Sequence, residues 1–521
     1  MSVSPHGDQV PSRPRPDLRV VPSQSSPRSS GPLVSGSSAK HRVVVIGGGI
    51  AGLAAAHTVT VESRGEIAVT VLESEPELGG KLRTAEVGGV QLDIGAEAMQ
   101  STRPEAVSLA RAVGLDRDIV HPEVFGASLW LRDRLRRMPP TLMGVPTDLR
   151  ALAAAQVLSK RSLLRMPLEY SRPATRFDGD VSVGAFVESR LGREVVDLLV
   201  EPLLGGVYAG RSDALSLAAT VPALFRELRD EPSLLRAAQR TTRGGGRKAG
   251  ARRGPIFAGI RGGVGRLPEA VAADLVAHGA DVRTGAQVRS LHRVDDCWRI
   301  IVGGEGQQSV VEAEEIILAV PPPQASALLA HICPPAANDL GLIDMSSMAI
   351  VTLAYPAVAV APLSGSGFLV PPTESRLLKA ANYATSKWDW IARKARTRTS
   401  REDALVVIRA SVGRVGDEES LDRDDADLVD RSHRELSQAV GIAAKPVDHL
   451  VTRWREAIPQ YSTGHVNRVE RIRAVVAGVD GLHICGAAFD GVGVASVIGS
   501  ARTAARAVLE HADRPAVRVG Q

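Results

Sequence analysis

From Arg42 the chain reads RVVVI, and Val43–Ile46 is apolar without interruption and mostly β-branched. That is the pattern of a strand covered on both faces. Three glycines, Gly47–Gly49, break it; small helix formers follow, and a second apolar run, IAVTVLES, ends at Glu73. The pattern predicts a strand, a glycine turn, a helix from Leu53 to about Val61 and a second strand, a βαβ unit. Further on, GPIFAGIRGGVGRLPEAVAADLVAHGADVRTGAQVRSLHR reads as loop, helix and strand. CWRIIV and EEIILAV predict more strands, and AVPPP stops that block. Between about 105 and 235, Leu, Ala and Arg recur at helical spacing. From about 340 to 470, strand patterns such as MAIVTLAYP and ALVVIRASV mix with helices. The end, GLHICGAAFDGVGVASVIGSARTAARAVLEHA, repeats the strand, glycine loop and helix theme. One α/β domain assembled from separated segments, with the other regions inserted into it, explains the recurrence.

Residues 1–39 are rich in Pro, Ser and Arg and lack apolar runs, which predicts a disordered tail. A transit peptide is the rival reading, against which the prolines speak. QRTTRGGGRKAGARRGP, Gln239–Pro255, carries six basic residues and five glycines. It reads as a solvated flexible loop or as an electrostatic patch for a partner or membrane surface. The net charge is +5, and only eight of the 63 basic residues are lysine. A basic balance suits an anionic substrate; no basic run is interleaved with aromatics, so nucleic acid is not expected. Three cysteines without a CxxC pair predict neither disulfides nor zinc. The longest apolar stretch, Met348–Leu363, contains Pro356 and Pro362 and alternates like strand, so no membrane span is expected. Together these features predict a cytoplasmic protein.

Gly47, Gly49 and Gly52 make G-x-G-x-x-G between strand and helix. The first allows a tight turn, the second lets the backbone approach a pyrophosphate, and the third lets helix and strand pack closely. The phosphate would sit where unpaired N–H groups and the helix dipole favour negative charge. Glu73 is placed to accept hydrogen bonds from a ribose diol. The turn is therefore expected to hold a dinucleotide.

Leu78-Gly79-Gly80-Lys81-Leu82-Arg83-Thr84 resembles the second glycine signature of the flavoprotein family that includes amine oxidases, phytoene desaturases and protoporphyrinogen oxidases. VRTGAQVRSL and ICGAAFDGVGVASVIGSARTAA are similar to its adenine-side strand and its closing flavin motif. The resemblance implies FAD, with contacts from Gly47, Gly48, Gly49, Ile50, Ala51 and Gly52. It implies more from Glu73 and Ser74, from Gly80, Lys81 and Arg83, and from Gly95, Ala96, Glu97 and Ala98. Val288, Trp454, Gly486, Val492, Gly493 and Val494 complete the set. It implies a Rossmann-like FAD-binding domain built from 40–104, 256–335 and 478–512. A helical insertion (105–238) and a mixed α/β substrate domain (336–477) would complete the fold.

EPLLGGVYAGRSDALSLAATVPAL (201–224), RWREAIPQYSTGH (453–465) and GSGFLVPP resemble the porphyrinogen oxidase branch, over about 41–510. Its two substrates are protoporphyrinogen IX and, in the coproporphyrin-dependent haem route of Gram-positive bacteria, coproporphyrinogen III with its propionates. The arginine–aromatic pair that anchors a propionate in protoporphyrinogen-type enzymes falls at Ala127-Ser128 here, which favours coproporphyrinogen III. Arg103, Arg409 and Leu369 are the substrate candidates. The implied reaction is a six-electron oxidation with dioxygen as acceptor and possible hand-over of the product to the next haem-pathway enzyme. It needs positioning over the flavin more than an acid–base triad. Two alternatives stay open. A flavin amine oxidase or desaturase could use Lys379 or Lys387, although the chain is only 3% aromatic. A non-catalytic escort-type protein of the same fold would lack bound flavin.

Overall fold

The computed structural model describes residues 40–174, 179–243, 255–304, 306–396 and 404–512. The expected tail, and the expected basic loop from residue 244 to 254, lie outside them. Along the chain the elements that build the site are β1 (Arg42–Ile46), α1 (Ile50–Glu62), β2 (Ala68–Leu72), β3 (Ser128–Leu131), β4 (Arg134–Arg137), α2 (Glu201–Tyr208), α3 (Arg266–Ala277) and β5 (Asp281–Arg283). They continue with β6 (Glu315–Leu318), β7 (Met345–Pro356), β8 (Gly367–Leu369), β9 (Leu378–Tyr383), β10 (Leu405–Val412), α4 (Asp425–Val440), β11 (Asp448–Pro459), α5 (His465–Val476), β12 (Leu482–Ile484) and α6 (Val494–Ala512).

Five parallel strands form one sheet in the order β5-β2-β1-β6-β12, so segments hundreds of residues apart complete a single α/β layer. Period-two alternation explains its two faces. Val43 and Val45 join the core under α1, α3 and α6, while Val44, Ile46 and Leu72 join a second core with Trp298 and Ile300. Helix α1 is buried nearly all round, from Ala51 to Thr60, because it lies between the sheet and α6.

A second sheet has seven strands in the order β11-β7-β10-β9-β8-β3-β4. All pairs are antiparallel except β8 with β3. This corrects the helical reading of residues 105–235, since β3 and β4 come from that stretch. Their turn is Arg132-Asp133, both at positive φ (53° and 57°), a primed hairpin turn without the Asn or Gly that would have marked it. The rest of the stretch is largely helical around buried Leu152, Val187, Leu199, Leu204 and Leu235. The expected basic loop also begins too early. Gln239–Arg243 is the last turn and a half of a helix from Leu234, anchored by buried Leu234, Leu235, Ala237 and Ala238. Cys297, Cys333 and Cys485 are free. Among the described residues no helix is long and apolar enough to cross a membrane.

Candidate functional site

The glycine turn sits where β1 meets α1. Gly47 has φ +109°, and a Cβ there would come 2.8 Å from the Ala319 carbonyl oxygen. A Cβ on Gly52 would lie 1.8 Å from the Gly47 carbonyl oxygen. A Cβ on Gly49 would meet nothing within 4 Å, so this glycine faces open space. Gly49 is also the N-cap of α1 and offers no side-chain acceptor to the helix's first N–H groups, which leaves them for an anion. Glu73 stands one residue past the end of β2. Its Oε2 accepts the Gly48 N–H at 2.6 Å, and its Oε1 accepts the Glu75 N–H at 2.9 Å and the Ser74 hydroxyl at 3.1 Å. Ala286 N–H donates to the Glu73 carbonyl at 2.7 Å, which brings the segment leading to Val288 alongside.

The second glycine signature lies against the first: Gly79 N–H donates to the Gly48 carbonyl at 2.9 Å. Past Gly80, the Lys81 carbonyl accepts the Ala96 N–H at 3.2 Å, and a Cβ on Gly95 would lie 2.0 Å from that same oxygen. Arg83 accepts the Ile94 N–H at 3.0 Å through its carbonyl. Trp454, on β11, donates its indole N–H to the Ile94 carbonyl at 3.1 Å and lays its ring edge over Gly95. Ala98 packs behind this wall, against the core that holds Leu92 and Trp388.

At the other end of the chain, Gly486 (φ +136°) and Gly493 both face open space, and Gly493 precedes Val494 at the start of α6. The loop between them is braced from outside. Tyr461 donates its hydroxyl to the Ala487 carbonyl at 2.5 Å and accepts the Gly491 N–H at 2.9 Å. Val492 packs beside this tyrosine's core. His465 stacks on Tyr461 at 4.1 Å and pairs through Nε2 with the Ala488 carbonyl at 2.8 Å. Burial pushes its pKa down to about 4, so the imidazole is neutral. Two motifs read separately in the sequence meet here. Ser216 N–H donates to the Tyr461 carbonyl at 2.7 Å, and Asp180 accepts from Ser216 Oγ (2.9 Å) and Gly464 N–H (2.7 Å).

Beside the glycine walls a cavity of about 320 Å³ opens on the seven-stranded sheet, lined by Gly95, Glu97, Ala127, Ile350, Leu369 and Arg409. Glu97 is its electrostatic centre. Its carboxylate accepts from Lys387 Nζ, from Asn382 Nδ2 at 2.7 Å and from Arg409 Nη1 at 2.5 Å. Arg409 also donates Nη2 to the Gly95 carbonyl at 2.6 Å. Burial opposes ionisation of Glu97, but Lys387 and Arg409 outweigh it and hold the pKa at about 2. One carboxylate and two cations form the cluster, and a second buried carboxylate, Asp93, stands in electrostatic reach of Arg409 and Glu97, its pKa raised by burial to about 6.

This arrangement bears on three expectations. Arg409 lines the cavity with its guanidinium held by Glu97 and the Gly95 carbonyl, while its Nε has no partner among the described residues. Glu97, expected at the cofactor, spends its carboxylate on Arg409 and on Lys387, so Lys387 is not free. Arg103 lies outside the cavity, held by Glu105 at 2.9 Å and Ser496 Oγ at 2.8 Å beside the first turn of α6. Leu369 does stand in the wall. Sequence reasoning missed Asn382, Asp180, Tyr461 and His465 as parts of the site. The last two stood in a quoted motif, whereas nothing local marks the first two.

A family model described as flavin containing amine oxidoreductase matches residues 50–509. The chain is 29% identical to coproporphyrinogen III oxidase of Bacillus subtilis (strain 168), over 91% of this chain and 99% of that protein. It is 32% identical to coproporphyrinogen III oxidase of Mycobacterium tuberculosis (strain H37Rv), over 91% and 98%. Among solved structures, an Exiguobacterium sp. 255-15 protein assigned as a protoporphyrinogen oxidase superposes with a TM-score of 0.77 at 27% identity, over 91% and 100%.

Proposed function

Because the chain belongs to the flavin containing amine oxidoreductase family, in its porphyrinogen oxidase branch, we propose that it oxidises coproporphyrinogen III to coproporphyrin III with FAD. The observation that carries the reading is that coproporphyrinogen III oxidases of several bacteria match at 28–32% identity over 98–99% of their own chains. Ala127 in the cavity wall supports it, since a small residue stands where a protoporphyrinogen-type anchor was expected.

The residues present fit FAD. Gly49, Gly486 and Gly493 each leave room where a side chain would intrude, and the first N–H groups of α1 lack a side-chain cap. The turn Gly47–Gly52 would hold the pyrophosphate, Glu73 the ribose, and the segment before Val288 the adenine side. Lys81, Gly95, Ala96, Trp454 and the Gly486–Val494 loop would flank the flavin. When bound, the flavin supplies a hydride acceptor. The chain's own contribution is position and field. Ile350 and Leu369 would give the substrate an apolar wall, and the Arg409 and Lys387 charges held by Glu97 would set the field it meets. Glu97 is ionised throughout the neutral range, so it holds Arg409 and Lys387 in place rather than moving protons. Dioxygen as acceptor and hand-over of the porphyrin to a later haem-pathway enzyme extend this reading. The FAD-binding part would be residues 40–104, 256–335 and 478–512.

The test is direct. Coproporphyrinogen III and protoporphyrinogen IX are supplied separately under air, and porphyrin fluorescence is followed. Faster appearance from coproporphyrinogen III supports the reading; preference for protoporphyrinogen IX overturns the substrate, and no turnover of either overturns the activity.

A further inference from the structure

A short helix, Lys160–Arg165, runs into a 3₁₀ helix, Met166–Ser171. One side of this segment is fixed by burial. Met166 is buried in the core of the helical region, and Leu163 and Tyr170 pack against that core. Glu169, whose side chain is fully buried, pairs with Arg190 at 2.6 Å. It also accepts the Ser233 hydroxyl at 2.6 Å and the Leu234 N–H at 2.7 Å. Rolling the segment about its axis would break this buried pair, which is costly. The other side therefore stays outside, and it carries Leu164 and Leu168, 79% and 63% exposed. Four residues apart, the two leucines lie on one side of the segment.

The charges around them are of one sign. Lys160, Arg161 and Arg165 are exposed, and none makes an ion pair among the described residues. Arg236, also exposed, holds its guanidinium 5.4 Å over the Tyr170 ring. The carboxylates that touch the segment are committed elsewhere. Glu169 belongs to Arg190. Glu194 is spent on the start of the helix, where it accepts the Ser159 N–H at 2.9 Å, the Ser159 hydroxyl at 2.7 Å and the Ser162 hydroxyl.

A leucine exposed this far projects from the surface instead of lining a groove. It leaves water by entering a soft apolar layer, and cations without partners beside it add attraction to anionic headgroups. Nucleic acid would use the cations but leave the leucines in water. We propose that the segment from Lys160 to Ser171 docks the protein on an anionic lipid surface. Leu164 and Leu168 enter the acyl boundary, while Lys160, Arg161 and Arg165 meet the headgroup phosphates. The contact is peripheral, since among the described residues no helix is long and apolar enough to cross a membrane. The proposal stands apart from the porphyrinogen reading, because none of these residues lines the cavity.

The test is sedimentation of the flavin-loaded, full-length protein with vesicles of phosphatidylcholine alone, or of phosphatidylcholine with an equal share of phosphatidylglycerol. Partition into the anionic vesicles is expected, and it should weaken as salt is raised. L164Q/L168Q is expected to lower that partition about tenfold or more. K160Q/R161Q/R165Q is expected to lower it about fivefold for each charge removed. Flavin content and thermal unfolding should stay at wild-type values in both, because the replaced side chains stand in water. If the leucine variant loses flavin or unfolds early, the charge variant decides. A wild type that stays out of the anionic vesicles, or enters both kinds equally, overturns the proposal. Partition that neither variant weakens places the binding elsewhere in the chain and overturns it too. A wild type that binds duplex DNA or polyglutamate but no vesicle assigns the cations to another partner and overturns the lipid surface. Porphyrin formation in solution should be the same in both variants, so failure here leaves the oxidase reading untouched.

Discussion

Gly52 approaches Gly47 so closely that a Cβ on residue 52 would stand 1.8 Å from the Gly47 carbonyl oxygen, whereas a Cβ on Gly49 would meet nothing within 4 Å. The glycines of one motif thus answer to different demands, one to packing and the other to what approaches from outside. Gly52→Ala is expected to push α1 off β1, lowering stability by about 1–3 kcal/mol or more and abolishing flavin retention. Gly49→Ala is expected to give a protein whose apo form unfolds at the wild-type temperature but which retains little flavin. Flavin absorbance per chain and thermal unfolding of the apoproteins check the pair.

Glu97→Gln removes the counter-charge from two cations that the fold keeps largely out of water. Breaking such a pair costs about 3–5 kcal/mol, so denaturant unfolding at pH 7 is expected to show a loss of that order. The sign with pH follows from the depressed pKa. The carboxylate's stabilisation is complete above its unfolded value, about 4.3, and is lost as pH falls towards about 2. The gap between wild type and variant should therefore narrow between pH 4 and pH 2.

Tyr461→Phe deletes the hydroxyl that joins the Ala487 carbonyl to the Gly491 N–H. Each buried backbone group left without a partner costs about 1–3 kcal/mol. Because both belong to the loop between Gly486 and Gly493, faster release of flavin on dilution should accompany the loss of stability. Unchanged flavin release would separate this brace from the cofactor site.

His465 is neutral in the folded protein because burial depresses its pKa to about 4, while the unfolded side chain titrates near 6.5. Between those values the unfolded chain binds more protons, so stability falls as pH drops from about 6.5 to 4. His465→Gln is expected to flatten that part of the stability profile, read by denaturant midpoints at intervals of pH.

The structure also shows why some of this was legible in advance. The strand Val43–Ile46, its glycines and α1 are neighbours in sequence and in space, so periodicity and turn chemistry alone identified them. The residue types of the late glycine loop did the same for α6. The β3–β4 hairpin escaped because Arg132 and Asp133 adopt positive φ without the usual residues. Gln239–Arg243 escaped because its polar positions are the solvent side of a helix whose apolar side precedes them.

The sequence by itself determined the local units: an apolar strand, a turn that requires glycine at Gly47 and Gly52, and a helix that can start without a side-chain cap. Tertiary structure alone decided which charges are spent and which are available. Glu97 meets Arg409 across 312 residues, and the pairing of β9 with β10 slips by one residue at Lys379. Such pairings depend on how distant strands register against one another. No short-range pattern encodes that register, because it is set by the packing of whole sheets.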